Sequence, residues 1–120
     1  MAQAKFDIYP RIFAVVVATI KLTQRIPKTE ENKVIIAQLL RSITSMGANA
    51  EEADGVSNKK DFIHCFTIVR KEGKESSFWI KLLGELNPAL KNEFTQIGNE
   101  LYEIVAIVSK IISNSRNHKC

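Results

Sequence analysis

Asp61-Phe62-Ile63-His64 places a carboxylate and an imidazole three residues apart, the spacing that di-metal helical bundles use to hold their ions. Such a site needs the motif on two helices with further inward carboxylates, and the other histidine, His118, stands almost at the end of the chain. Asp61 then reads as a first-turn carboxylate favoured by the helix dipole, and His64 as a solvated or interface residue. No metal ligand is assigned. Glu51, Glu52 and Asp54 gather the groups that acid–base catalysis would need. Adjacent residues diverge by about 100° around a helix, however, so Glu51 and Glu52 cannot face each other across a substrate. A solvated or salt-bridging face suits them better. Cys65 has no second cysteine nearby, and His64 points elsewhere, so a nucleophile lacks its base. Glycine-rich phosphate loops are absent. These residues predict no enzyme and no cofactor.

The basic residues offer a different chemistry. Lys59 and Lys60 open the third predicted helix, and Arg70, Lys71, Lys74 and Lys81 follow along it. Arg41 lies on the second helix, with Lys110, Arg116 and Lys119 near the end of the chain. Glu72, Glu75 and Glu85 alternate with them in sequence, which is also the pattern of an ordinary charged helix face. Seventeen Lys and Arg against thirteen Asp and Glu leave a formal charge of +4. That surplus permits nucleic-acid contact without requiring it. Arg41, Lys59, Lys60, Arg70, Lys71 and Lys74 are the candidate contacts to RNA or DNA.

The elements that must carry these residues are helices. The 120 residues suit one domain, here 1–120, and the 45% hydrophobic and 25% charged fractions are those of a globular chain. Five glycines and three prolines are too few for a many-stranded fold. Periodicity and breakers predict helices at about 10–25, 29–54, 58–86 and 89–113, followed by a frayed basic tail at 114–120. Pro10 opens the first, and Ile26-Pro27 closes it. Thr29 caps the second, with Glu30 and Glu31 behind it. Ile36, Leu40, Ile43, Gly47 and Ala50 line that helix. Gly55 stops it, and Ser57 or Asn58 caps the third. Phe62, Phe66, Val69, Gly73, Ser76, Ile80 and Leu83 form a heptad-like seam there. Leu90, Phe94, Ile97, Leu101, Ile104, Val108 and Ile111 do the same on the fourth, widened by Val105 and Ile112. Short loops favour antiparallel neighbours, so the fold class is all-α, an antiparallel up-and-down four-helix bundle.

Two helices carry more sticky surface than one core should consume. The first is apolar nearly all round, with Ile12, Phe13, Val15, Val16, Val17, Ile20 and Leu22. The second carries Gly47, Ala48, Asn49, Ala50 and Ala53, where a mid-helix glycine costs about 1 kcal/mol and implies a close neighbour. Asn49 among alanines reads as a buried polar group that sets register. Arg41 reads equally as a partner for a carboxylate on a neighbouring helix. The run Ile12 to Ile20, bounded by Arg11 and Lys21, is too short to cross a bilayer and lacks a signal-peptide cleavage site. Two cysteines, Cys65 and Cys120, suit a reducing cytoplasm.

The stretch from Leu39 to Ala53 (Leu-Leu-Arg-Ser-Ile-Thr-Ser-Met-Gly-Ala-Asn-Ala-Glu-Glu-Ala), followed by Ser57-Asn58-Lys59-Lys60-Asp61-Phe62, resembles the four-helix proteins named after an open reading frame in 23S ribosomal RNA intervening sequences. Pro27-Lys28-Thr29-Glu30-Glu31-Asn32 and Trp79-Ile80-Lys81-Leu82-Leu83 are similar to the same family. The resemblance covers nearly the whole chain, while the first helix and the tail match only in character. It implies a bacterial protein of poorly defined role whose protomers assemble into a ring-like homopentamer. A related branch, the accessory variability determinant of diversity-generating retroelements, is a basic pentamer that binds nucleic acid and a reverse transcriptase. This sequence looks closer to the intervening-sequence branch. The expectation is a non-enzymatic homo-oligomer in the cytoplasm, without a membrane role, that binds RNA or DNA through the basic surfaces of the ring. The alternative is a scaffold for a polypeptide partner.

Overall fold

The computed structural model describes residues 8–117. Two capping side chains decide where the central helices begin. Thr29 accepts a hydrogen bond from the Asn32 amide at 3.2 Å, and α2 covers Glu30–Gly55. Asn58 accepts one from the Asp61 amide at 2.8 Å, and α3 covers Lys59–Leu86. Helix α1 covers Ile8–Thr23 and α4 covers Lys91–Asn117.

Helix α1 includes Ile8 and Tyr9, ahead of the predicted start at residue 10. It ends at Thr23 rather than residue 25, in a tightened last turn where Gln24, Arg25 and Ile26 bond three residues back; Pro27 offers the Thr23 carbonyl no N–H, and Lys28 Nζ donates to it at 3.1 Å. Pro88–Leu90 form a 3-10 turn, which delays α4 to Lys91. At its far end α4 continues four residues past the predicted boundary. Residues 114–117 are therefore helical rather than frayed, and 118–120 lie outside the described residues.

Each helix packs on two others, α1 and α3 both lying between α2 and α4. Asn32 at the start of α2 meets Asn87 at the end of α3, as antiparallel neighbours must. Arg11 near the start of α1 likewise meets Glu100 in α4, while Arg25 just beyond α1 meets Glu93. The result is an all-α up-and-down four-helix bundle with Cα extents of 51 × 27 × 19 Å.

The predicted seam of α3 is the observed one. Phe66, Val69, Gly73, Ser76, Ile80 and Leu83 are buried, with Phe62 at its edge. On α4 the inward line runs Phe94, Leu101, Ile104, Val108 and Ile112, and Ile97 and Ile111 flank it, half-buried against the core. Leu39 and Met46 of α2 are fully buried, Gly47 turns towards α1, and Leu40 packs half-buried at the edge of the core. Ile26 does more than break a helix: it is buried in the loop and joins the core.

Polar pairs set the register of α2 against α3. The Ser42 and Ser76 hydroxyls meet at 2.7 Å in full burial. Asn32 and Asn87 exchange amide hydrogen bonds at 3.0 and 3.1 Å, and each also donates to a backbone carbonyl, of Pro27 and Leu83. Asn49 does not play the part expected of it. It is half-buried and donates to the Ser45 carbonyl of its own helix at 2.9 Å, because its direction from the α2 axis skirts the core.

Candidate functional site

Lys60, Lys71, Lys74 and Lys81 stand on one line of α3. Positions 60, 64, 67, 71, 74, 78 and 81 alternate by four and three, so they repeat on a single face, and this face points away from the bundle. His64, Thr67 and Phe78 occupy the remaining positions. At 1.5 Å per residue, Lys60 to Lys81 spans about 32 Å. No carboxylate falls between them on that line. Arg70 is half-buried on its flank, and Lys59 opens the helix beside Lys60.

The glutamates that alternate with these lysines in sequence do not alternate with them in space. Glu72 and Glu75 turn towards α2, where Arg41 lies 3.5 Å from Glu72 and donates to Glu75. The Trp79 indole donates to the same Glu75 carboxylate at 3.1 Å, and Ser45 donates to Glu72 at 3.4 Å. Arg41 is thus committed to the α2–α3 seam and separates from the basic residues of α3. Its alternative reading as an interhelical ion-pair partner is the one this geometry matches. Glu85 stands at the end of the line and pairs with Lys91 at 2.8 Å, a contact that holds its carboxyl below the usual glutamate range.

The small-residue segment of α2 divides in three. Gly47 lets α1 approach, since a Cβ there would lie 3.2 Å from Val16 Cγ2. Ala50 and Ala53 are core residues, whereas Ala48 is exposed. A groove of about 380 Å³ runs between α1 and α2 beside them, walled by Tyr9, Phe13, Val16 and Glu51. Phe13 is 68% exposed, and Val17 and Ile20, at helical spacing from it on α1, are half-buried. The all-round apolarity of α1 therefore persists as an apolar outer face. Burial, with Asp54 and Glu51 near, pushes the Tyr9 phenol up.

The remaining candidates do not assemble into chemistry. Asp61 is engaged at the start of α3, where the Asn58 amide donates to its carboxylate at 3.0 Å, and His64 is exposed. Cys65 is buried, which together with Glu52 and Asp61 pushes its thiol up and away from a reactive thiolate. Among the described residues no three His, Cys, Asp or Glu side chains converge as a metal site. No helix of the described residues is long and apolar enough to cross a membrane.

The sequence profile described as 23S rRNA-intervening sequence protein matches residues 4–110. The chain belongs to that family. Among solved structures it is similar to a protein of unknown function from the S23 ribosomal protein family of Bacteroides thetaiotaomicron VPI-5482. The two share 27% identity and superpose with a TM-score of 0.82, over 92% of this chain and 99% of that one. No curated protein matches the chain. Membership agrees with the resemblance carried by Leu39 to Ala53 and Ser57 to Phe62. Helices α3 and α1, which hold the lysine line and the apolar face, fall wholly within the matched span.

Proposed function

We propose that the protein is a non-enzymatic homo-oligomer of the cytoplasm that binds RNA or DNA by its phosphates. The lysine line of α3 carries this reading. Four exposed ammonium groups along about 32 Å match a polyanion better than a small ligand. Glu72 and Glu75, which alternate with them in sequence, are turned away to Arg41, while Glu85 at the end of the line pairs with Lys91 and also interacts with Lys81. Lys59 and Arg70 extend the basic surface at its start and flank. Assembly would repeat the line once per protomer, so modest patches would sum to a strong field.

The apolar face around Phe13 supports self-association, and the family resemblance makes a pentamer the expected state. Light scattering should give five times the 13.5 kDa protomer mass, and Phe13→Glu should lower it. A wild-type monomer at micromolar concentration would remove the assembly from the proposal. For the nucleic-acid half, affinity for a labelled oligonucleotide is measured against salt. Replacing Lys71 and Lys74 with alanine should flatten the log–log slope by about 1.4 to 1.8 per protomer engaged, at roughly 0.7 to 0.9 per lost phosphate contact. Absence of binding to either single strands or duplex at low salt would end this reading. The same apolar face favours a second one, a scaffold for a polypeptide. Co-purification of one defined protein through nuclease treatment would support that instead.

A further inference from the structure

Gly98 has no packing reason to be glycine. At Gly73 and Gly84, a Cβ would come within 2.9 Å of Val105 and 3.3 Å of Phe94, and Gly47 similarly makes room for Val16. At Gly98 the nearest atom would be Ile80 Cγ2 at 3.8 Å, an ordinary contact. Yet the residue lies well inside α4, where glycine is unfavourable against alanine. What the missing side chain does is lower the floor of a groove between α3 and α4.

That groove has a volume of about 340 Å³. Ile80, Gly84, Phe94 and Gly98 form an apolar floor; Asn99 offers a hydrogen-bonding edge beside it, and Ser77, whose hydroxyl donates to the Gly73 carbonyl at 3.1 Å, offers an acceptor. Tyr102, 78% exposed, stands as an aromatic wall. Lys81 belongs both to the groove and to the lysine line, so a strand following the lysines passes its mouth. Glu85, the one carboxylate there, is paired with Lys91 and interacts more weakly with Lys81.

We infer that this groove seats an unpaired nucleobase, which makes single-stranded nucleic acid the preferred ligand of the lysine line. The inference rests on the phosphate-binding reading above. A base is flat and apolar on its faces and polar on its edge, as the floor, wall and rim require, and its phosphate meets Lys81. A base within a duplex is stacked and paired, and cannot enter. Aromatic stacking is tolerant of base identity, so little sequence preference follows.

The test compares three labelled probes on the full chain: a mixed-sequence single-stranded RNA, an abasic phosphodiester strand of equal length, and an RNA duplex. Wild type should prefer the first over the second by roughly five-fold or more, the scale of one lost stacking partner. Tyr102→Ala and Gly98→Leu should each erase that preference while leaving the abasic and duplex affinities unchanged. Leucine is a strong helix former at a roomy position, so retained thermal stability in Gly98→Leu would separate a filled groove from a misfolded chain. Equal wild-type affinity for all three probes, or a preference that survives Gly98→Leu, overturns the groove and leaves the lysine reading standing. No binding to any probe sinks both. A changed oligomer mass in Gly98→Leu assigns the groove to a second copy of the chain and overturns the inference.

Discussion

Alanine should destabilise the bundle at Gly73 and stabilise it at Gly98, although the chemical change is the same. In both helices the substitution removes a glycine penalty of about 1 kcal/mol. At Gly98 nothing opposes that gain, since the new methyl lies 3.8 Å from Ile80 Cγ2. At Gly73 the methyl would fall 2.9 Å from Val105 Cγ2 and 3.3 Å from Met46 Sδ. Val105 is β-branched and confined to one preferred rotamer on a helix, so it cannot swing aside cheaply. The seam between α3 and α4 must open, at about 1 to 3 kcal/mol for overpacking of this kind. Net destabilisation at Gly73 is then about 1 kcal/mol, and the two variants differ by about 2 kcal/mol. Urea unfolding at fixed protomer concentration reads the difference as opposite shifts in midpoint with an unchanged m-value. Val105→Ala should partly rescue Gly73→Ala, a non-additivity expected only of residues in contact. Equal stabilisation by both alanines would refute a tight α3–α4 seam at Gly73.

Two further predictions concern polar contacts. Replacing Asn32 or Asn87 singly with alanine strips a reciprocal amide pair and should destabilise by about 1 to 3 kcal/mol, while the double variant should fall short of the sum; a double-mutant cycle on unfolding midpoints checks this, and strict additivity would mean that the pair does not couple α2 to α3. The hydrogen bond from Arg11, opposed by burial, holds the Glu100 carboxyl below the ordinary glutamate range. A lowered folded-state pKa stabilises at neutral pH, and that contribution disappears as pH falls through the lowered value. Glu100→Gln should therefore unfold more easily than wild type at neutral pH, and the gap should close in acid; a gap independent of pH would refute the assignment.

Much of the bundle is legible in the chain because helix signals are local. Thr29 and Asn58 cap through bonds to residues three positions on, and the alternation of Phe66, Val69, Gly73, Ser76, Ile80 and Leu83 repeats at the helix period. Boundaries drift where the last turn changes its bonding. Pro27 has no N–H to offer the Thr23 carbonyl, Gln24 to Ile26 bond three residues back, and α1 closes ahead of the predicted residue. Ile26 itself looks like punctuation until the loop folds it into the core.

The candidate surface is less legible, because alternation in sequence is not alternation in space. Lys71, Glu72, Lys74 and Glu75 read as a mixed charged stretch, and spacing by three and four could have separated them onto two lines. Which line faces solvent depends on where α2 lies, and Arg41 takes the glutamates only because α2 lies there. Asn49 and Gly98 make the same point in opposite directions. Asn49 looks buried among alanines yet bonds within its own turn, since its direction from the axis misses the core. At Gly98 the sequence shows only a glycine within a helix, and the 3.8 Å to Ile80 and the groove it lines emerge from the packing of α3 on α4. Helix content, caps and the apolar character of α1 follow from short-range chemistry that any conformation of the chain carries. Register, the sorting of charges and the grooves follow from which helices become neighbours, and that depends on contacts between residues dozens of positions apart.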